Sequence, residues 1–334
     1  MRVAINGFGR IGKLIFRAFI EQNIKNIEII AINELGSLDS SFHLTQYDSA
    51  HGKLPLKINK TKTGLKYKDK NILFFSEKNP VKLPWRKLKI DVVLECSGAF
   101  ASKEKSHAHI NSGAKKVIIS APASNVDATI VQGVNNKILN KNHNIISNGS
   151  CTTNCLAPIA MILDKVVGID SGFMTTIHSF TGDQRTVDQS HSDLRRARTA
   201  STSMIPTSTG AAKALGLVLP KLLGKLDGTA IRVPTQNVSL IDLTFMSKKR
   251  TSIELINNSM IVASKTKNLK NILTVNNLPL VSIDFNHNAS SSVFDLTQTQ
   301  VINHKFCRVL SWYDNEWGFS NRMIDTLKDL KKFI

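Results

Sequence analysis

The sequence predicts an α/β protein in two parts: a parallel-sheet domain over the first 150 residues and an α+β half after it. Three observations carry that prediction. Short apolar runs alternate with helix-like segments as far as about residue 150. A glycine-rich turn, Asn6-Gly7-Phe8-Gly9-Arg10-Ile11-Gly12, joins the first apolar run to the first helical pattern. Beyond it the strand-like runs are longer and polar connections join them. At 334 residues the chain also exceeds what one core usually supports.

In the first part, Val3–Asn6, Ile27–Asn33, Asp91–Cys96, Lys116–Ser120 and Asn144–Ser147 read as strands, being short apolar runs bounded by polar turn residues. Between the first two, Lys13 to Ile20 carries apolar residues at helical spacing. In the second part, Gly172–Phe180, Gly228–Val233, Ser239–Phe245 and Phe306–Tyr313 read as strands, with helical segments near 210–218 and 252–263. That pattern predicts a mixed or antiparallel sheet with helices on one side. Asn321–Phe333 is amphipathic, and a C-terminal helix over about 317–334 is expected to pack back on the first domain. The expected domains are therefore 1–150 and 151–316.

Composition narrows the function classes. Hydrophobic residues make up 42% and charged residues 21%, as in ordinary soluble globular proteins. No apolar run reaches the roughly 18 residues of a spanning helix. Met1-Arg2-Val3-Ala4-Ile5 runs into a strand-like pattern with no signal-peptide layout, so a cytoplasmic protein is expected. Cys96, Cys151, Cys155 and Cys307 are too few for a disulfide framework in a chain of this length. The net charge of +19 would suit a polyanion such as RNA. No nucleic-acid motif accompanies it, and the lysines, densest between Lys53 and Lys89, read as a solvated surface.

Gly7, Gly9 and Gly12 form a G-x-G-x-x-G after a strand and at the mouth of a helix, the turn through which a Rossmann-type domain brings backbone close to a pyrophosphate. Glu34 ends the next predicted strand roughly twenty residues on, where a carboxylate can accept the adenosine ribose hydroxyls. Such a carboxylate repels a 2′-phosphate, so NAD is the expected cofactor over NADP.

Residues 147–158 read Ser-Asn-Gly-Ser-Cys-Thr-Thr-Asn-Cys-Leu-Ala-Pro, a strand end running into a helix start. A thiol there meets free backbone N–H groups and the positive end of the helix dipole, which favour a thiolate at Cys151. Cys155, one turn on, reads as a small buried apolar residue. The pair lacks a second Cys or His pair at zinc spacing, so no metal is expected. A thiolate needs a base, and His178, on a predicted strand just before a polar loop, is the best-placed histidine.

These strings, with Arg195-Arg196-Ala197-Arg198, Ile205 to Lys213, Arg232-Val233-Pro234-Thr235 and Trp312 to Gly318, closely resemble the phosphorylating glyceraldehyde-3-phosphate dehydrogenase family, in order over essentially the whole chain. The resemblance implies that Cys151 attacks the aldehyde to give a thiohemiacetal. His178 takes the proton as hydride leaves for the nicotinamide ring, and phosphate cuts the resulting thioester to release 1,3-bisphosphoglycerate. It implies one anion site at Thr181 and Arg232 and another at Thr209, Gly210 and Arg196, with Ser150 and Thr152 flanking the nucleophile. For the cofactor it implies Arg10 and Ile11 at the pyrophosphate, Glu34 at the ribose, Lys78, Ser97 and Ser120 along the adenine and nicotinamide path, and Asn315 at the carboxamide. The loop from Thr181 to about Ser203 resembles one that packs at a homotetramer core.

Some positions depart from the family pattern. Gly149 replaces the usual alanine, adding backbone freedom beside the nucleophile. Phe319 stands where tyrosine is common. Gln189 and Ser190 replace a Leu-Pro pair that often accompanies NAD preference. The alternative within enzymes is erythrose-4-phosphate dehydrogenase, echoed by Phe285-Asn286-His287-Asn288, although Thr207 to Lys213 resembles the triose enzyme at its phosphate site.

Overall fold

The computed structural model describes residues 1–334, which divide into two compact units: Met1–Ile130 with Asn136–Gly149 and Ser320–Ile334, and Val131–Asn135 with Ser150–Phe319. In the first unit the chain runs β1 (Arg2–Asn6), α1 (Arg10–Glu21), β2 (Glu28–Asn33) and α2 (Leu38–Gln46). A small ribbon of β3 (Tyr47–Asp48) and β4 (Gly52–Lys53) follows, then β5 (Ile58–Thr61), β6 (Gly64–Tyr67) and β7 (Lys70–Phe75). β8 (Val92–Glu95), α3 (Lys103–Asn111), β9 (Lys116–Ile119), β10 (Ala128–Thr129) and β11 (Ile145–Ser147) complete it.

The sheet is nine-stranded, in the order β10-β11-β9-β8-β1-β2-β7-β6-β5. All strands from β10 to β7 run parallel, and β5 and β6 are added as antiparallel strands. The strand order reverses between β1 and β8, which run parallel, so their carboxyl ends, Asn6 and Glu95, flank the crevice where α/β sheets bind ligands. One face packs Ala4, Val93, Val117, Ile119 and Ile145 with Trp85 and Ile90 into a core. Helix α1 buries Leu14, Ile15, Phe16, Ala18 and Ile20, the stripe its spacing requires. Each such large side chain contributes about 1.5–3 kcal/mol on burial.

The stretch from Lys53 to Lys89 is not merely a solvated surface. It folds into β5, β6 and β7, burying Ile58, Leu65, Ile72 and Trp85 while Lys60 and Lys66 stay exposed. Strand periodicity of two was masked there by lysines on the outer face. The C-terminal residues of this unit are tied to it by side chains. Gln22 Nε2 donates to Asn321 Oδ1 (2.6 Å), and Thr326 Oγ1 donates to Asn148 Oδ1 (2.7 Å).

The second unit opens with α4 (Cys151–Val166), followed by β12 (Ile169–Ser179), β13 (Ile205–Ser208), α5 (Ala211–Val218), β14 (Leu226–Val233), β15 (Ser239–Ser247) and α6 (Ile253–Ser264). Then come β16 (Leu273–Asn276), β17 (Ser292–Asp295), β18 (Gln300–Ile302), β19 (Phe306–Tyr313) and the start of α7 (Trp317–Leu330). Its eight-stranded mixed sheet has the order β13-β14-β12-β15-β19-β17-β16, with β18 on β19. β13, β16, β17 and β18 are short strands that carry no clear alternation in sequence. Helix α4 lies in the core: Cys155, Leu156, Ile159, Ala160 and Leu163 pack with Met174, Leu243, Phe245 and Val309. A helix buried along its body holds its first residue, Cys151, in a fixed place on the sheet. No helix is long and apolar enough to cross a membrane.

Candidate active site

In the first unit, a cavity of about 410 Å³ opens at the ends of β1, β2 and β8, lined among others by Asn6, Gly7, Gly9, Asn33, Glu34, Lys78 and Ser97. The three glycines have separate reasons. Gly7 has φ +87°, and a Cβ there would collide with the backbone of Ser97. A Cβ on Gly12 would collide with the Gly7 carbonyl. Gly9 faces open space, room that a side chain would fill and a pyrophosphate can use. Gly9 also caps α1 without any side-chain hydrogen bond, leaving the first-turn N–H groups available to an anion. The residues present therefore fit a dinucleotide.

Glu34 closes that turn: its Oε2 accepts from Phe8 N (2.6 Å) and its Oε1 from Gly36 N (3.1 Å). Ser97 donates from both N (2.8 Å) and Oγ (2.5 Å) to Glu95 Oε1. Arg10, Ile11 and Ser120 stand outside the cavity lining. Arg10 forks onto Asp48 (2.6 and 3.2 Å), and Ser120 N donates to Glu95 O.

In the second unit, Ser150 caps α4, its Oγ accepting from Thr153 N at 2.9 Å. Cys151 is the first helical residue, and its Sγ lies 3.6 Å from His178 Nε2. His178 is 3% exposed. Its Nδ1 lies 2.6 Å from Ser179 O and 2.8 Å from Arg232 Nη1, and its Nε2 faces the sulfur. Burial, and after it the Arg232 guanidinium, hold His178 down to about 3. Burial also pushes the Cys151 thiol up, while Arg232 and the Thr152 hydrogen bonds pull the other way. Desolvation thus opposes the thiolate while the Arg232 cation favours it, so ionisation draws on that cation and on a base to take the proton.

Arg232 stands beside His178 because β12 and β14 pair in parallel with those two residues in register. Its Nη1 donates to Ser179 O (3.2 Å), and its buried Nε has no hydrogen-bond partner. A half-buried guanidinium with a free donor is arranged for an incoming oxyanion. Thr181 sits at the start of the following loop, its hydroxyl donating to Gln184 Oε1 (3.2 Å). Gly210 caps α5, and Thr209 Oγ1 accepts from Ala211 N (3.2 Å). Arg196 is held by Asp183 (2.6 Å) and Asp193 (3.3 Å). Thr152, expected to flank the nucleophile, follows it on α4 and is buried with its hydroxyl 2.9 Å from Tyr313 Oη. Asn315 Oδ1 accepts from Ser179 and Ser239 hydroxyls, both at 2.8 Å, so its amide N–H groups are turned the other way.

Residues 1–103 match the family model described as the NAD binding domain of glyceraldehyde 3-phosphate dehydrogenase, and residues 150–315 match that of its C-terminal domain. The chain is 55% identical over 326 residues to glyceraldehyde-3-phosphate dehydrogenase of Xanthobacter flavus, covering 98% of this chain and 97% of the relative. It belongs to the glyceraldehyde-3-phosphate dehydrogenase family. The chromosomal enzyme of Cupriavidus necator (53% over 328 residues, 98% and 97% covered) and that of Geobacillus stearothermophilus (48% over 326 residues, 97% and 96%) are similar over the same extent.

As a member of the glyceraldehyde-3-phosphate dehydrogenase family, the protein is an NAD-dependent oxidoreductase with a Rossmann-type domain and a mixed-sheet catalytic domain. Sequence reasoning missed the supports of its site. Asn6, Asn33 and Glu95 end parallel strands at the crevice, a position that could have flagged them. Tyr313, Ser179 and Ser239 reach Thr152 and Asn315 only through the sheet, and nothing in their local sequence marks them.

Proposed function

We propose that this chain converts D-glyceraldehyde 3-phosphate, phosphate and NAD to 1,3-bisphosphoglycerate and NADH, with Cys151 and His178 as the catalytic pair. Cys151 Sγ bonds to the aldehyde carbon as His178 Nε2 takes the thiol proton and returns it to the carbonyl oxygen, giving a thiohemiacetal. NAD, when bound, accepts the hydride from that carbon. His178 removes the hydroxyl proton as the hydride departs, leaving a thioester on Cys151. A phosphate oxygen then attacks the acyl carbon, the C–S bond breaks, and the departing sulfur takes up the proton held on His178, restoring the thiol and the neutral imidazole.

The Cys151–His178 contact of 3.6 Å beside the unpartnered Arg232 Nε carries this reading. Arg232 and Thr181 serve the substrate phosphate. Thr209, Gly210 and Arg196 serve the attacking phosphate, which must exchange with Asp183 on Arg196. Ser150 supports the nucleophile as helix cap and Thr152 through its backbone. The charge of a phosphate at Arg232 offsets the cation that depresses His178, so substrate binding raises the basicity of the ring. Gly7, Gly9, Arg10, Ile11, Gly12, Glu34, Lys78, Ser97, Ser120 and Asn315 serve the cofactor.

The assembly we propose is a homotetramer, supported by Val187, Leu194 and Met204, apolar and exposed on or beside the loop after Thr181. A reducing, cytoplasmic setting is supported by four free cysteines. The test is turnover of glyceraldehyde 3-phosphate with NAD and with NADP, with and without phosphate, beside Cys151→Ser. Activity that requires phosphate and NAD and vanishes in the mutant is expected. Retained activity in the mutant, or preference for erythrose 4-phosphate, overturns the reading.

A further inference from the structure

Beneath the cavity of the first unit lies a buried chain of polar groups. Trp85 and His109 are 0% exposed and Glu95 is 2% exposed. An indole N–H can only donate, so the 3.1 Å bond from Trp85 Nε1 leaves His109 Nδ1 as acceptor. The hydrogen of the ring is then on Nε2, which donates to Glu95 Oε2 at 2.8 Å. Oε2 also accepts from Asn6 Nδ2 (2.6 Å), while Oε1 takes the N–H and hydroxyl of Ser97. Both carboxylate oxygens are filled, every partner being a donor.

The direction of these bonds propagates. With Asn6 Nδ2 committed to Glu95, Asn6 Oδ1 must face Asn33 Nδ2, at 2.7 Å. Asn33 then bonds the backbone O and N of Glu77, both at 2.9 Å. Asn6, Asn33, Glu77 and Ser97 all line the cavity. The Ser97 backbone is also the wall against which Gly7 is packed. A purely structural core at this place would be cheaper as apolar residues, because burying a carboxylate and an imidazole costs free energy unless each is fully bonded.

We infer that Glu95, oriented by His109, is the positioning residue of the cofactor cavity: one acceptor-only group that sets the amide of Asn6, through it Asn33, and the place of Ser97 against Gly7. The inference rests on the reading of this cavity as the NAD site. Glu95→Gln keeps the shape but sets an N–H₂ against donors, reversing the bond order of the chain.

The experiment measures the Kd for NAD by titration calorimetry, and kcat at saturating NAD, in four variants. Glu95→Gln is expected to raise the Kd at least about tenfold with kcat within about threefold of the parent. His109→Leu, which removes the donor to Glu95, raises the Kd. His109→Gln, which restores a donor there, returns it to within about twofold. An unchanged Kd in folded Glu95→Gln overturns the inference. If that variant does not fold, equal Kd values for His109→Leu and His109→Gln overturn it. Glu34→Ala separates the two levels. No change in its Kd means the cavity is not the NAD site, and the inference falls with that reading. A raised Kd in Glu34→Ala with an unchanged one in Glu95→Gln sinks the Glu95 inference alone.

Discussion

Arg232 Nη1 lies 2.8 Å from His178 Nδ1, so the proposed anion site and the proposed catalytic base share one electrostatic environment. Burial and then this cation hold the ring near 3. Arg232→Met removes the second cause, and the acid limb of kcat/KM is expected to move to higher pH. The KM for the triose phosphate should rise about 10- to 150-fold, the equivalent of about 1.5–3 kcal/mol for a charged hydrogen bond. A pH profile of kcat/KM checks both, and an acid limb that stays in place rules out Arg232 as the cause.

His178 also sets a pH dependence of stability. Unfolded, it titrates near the usual ~6.5; folded, near 3. Below about 6.5 the unfolded chain binds a proton that the folded chain refuses. The stabilising contribution is thus complete above the unfolded pKa and is lost as pH falls toward 3. His178→Asn should therefore lose less stability than the parent between neutral pH and pH 5, by about 1–2 kcal/mol. Urea midpoints at both pH values measure this, and parallel losses would count against it.

Gly149 adopts φ +64°, the left-handed region, directly before the Ser150 cap and Cys151. The glycine is thus a conformational fit for this backbone and not merely added freedom. Gly149→Ala is expected to cost about 1–2 kcal/mol of stability and to lower kcat through the placement of Cys151. Thermal unfolding and single-turnover kinetics test it. Unchanged values in both would mean the turn relaxes without moving the thiol.

Glu34 presents a carboxylate at the mouth of the glycine turn through its bonds to Phe8 N and Gly36 N. Glu34→Ser removes the repulsion toward a 2′-phosphate, and the ratio of kcat/KM for NADP over NAD should rise at least about tenfold. Ser190→Pro, acting on the loop, should shift the ratio less. If Ser190→Pro has the larger effect, cofactor choice resides in the loop.

Much of the site was legible because it is made of short local signals. Gly7, Gly9 and Gly12 are read from their spacing, and Ser150-Cys151 from a strand end meeting a helix start. The β5–β7 strands were not legible, since Lys60 and Lys66 point to solvent and only Ile58, Leu65 and Ile72 mark the inner face. Local signals could not show what surrounds Cys151 or Thr152. A helix start says nothing of which groups stand around a sulfur, and the Tyr313 hydroxyl that meets Thr152 arrives from the far end of the chain.

By itself the sequence determined which groups the protein owns and what each can do: a phosphate-admitting glycine turn, an acidic strand end, a cysteine at a helix start, a histidine before a loop. Only the tertiary structure decided who stands beside whom. His178 meets Arg232 because β12 and β14 pair in parallel with these residues in register. Glu95 governs Asn6 because the switch in strand order sets β1 beside β8. Register is chosen by the packing of whole sheet faces, a long-range sum that no local stretch of sequence contains.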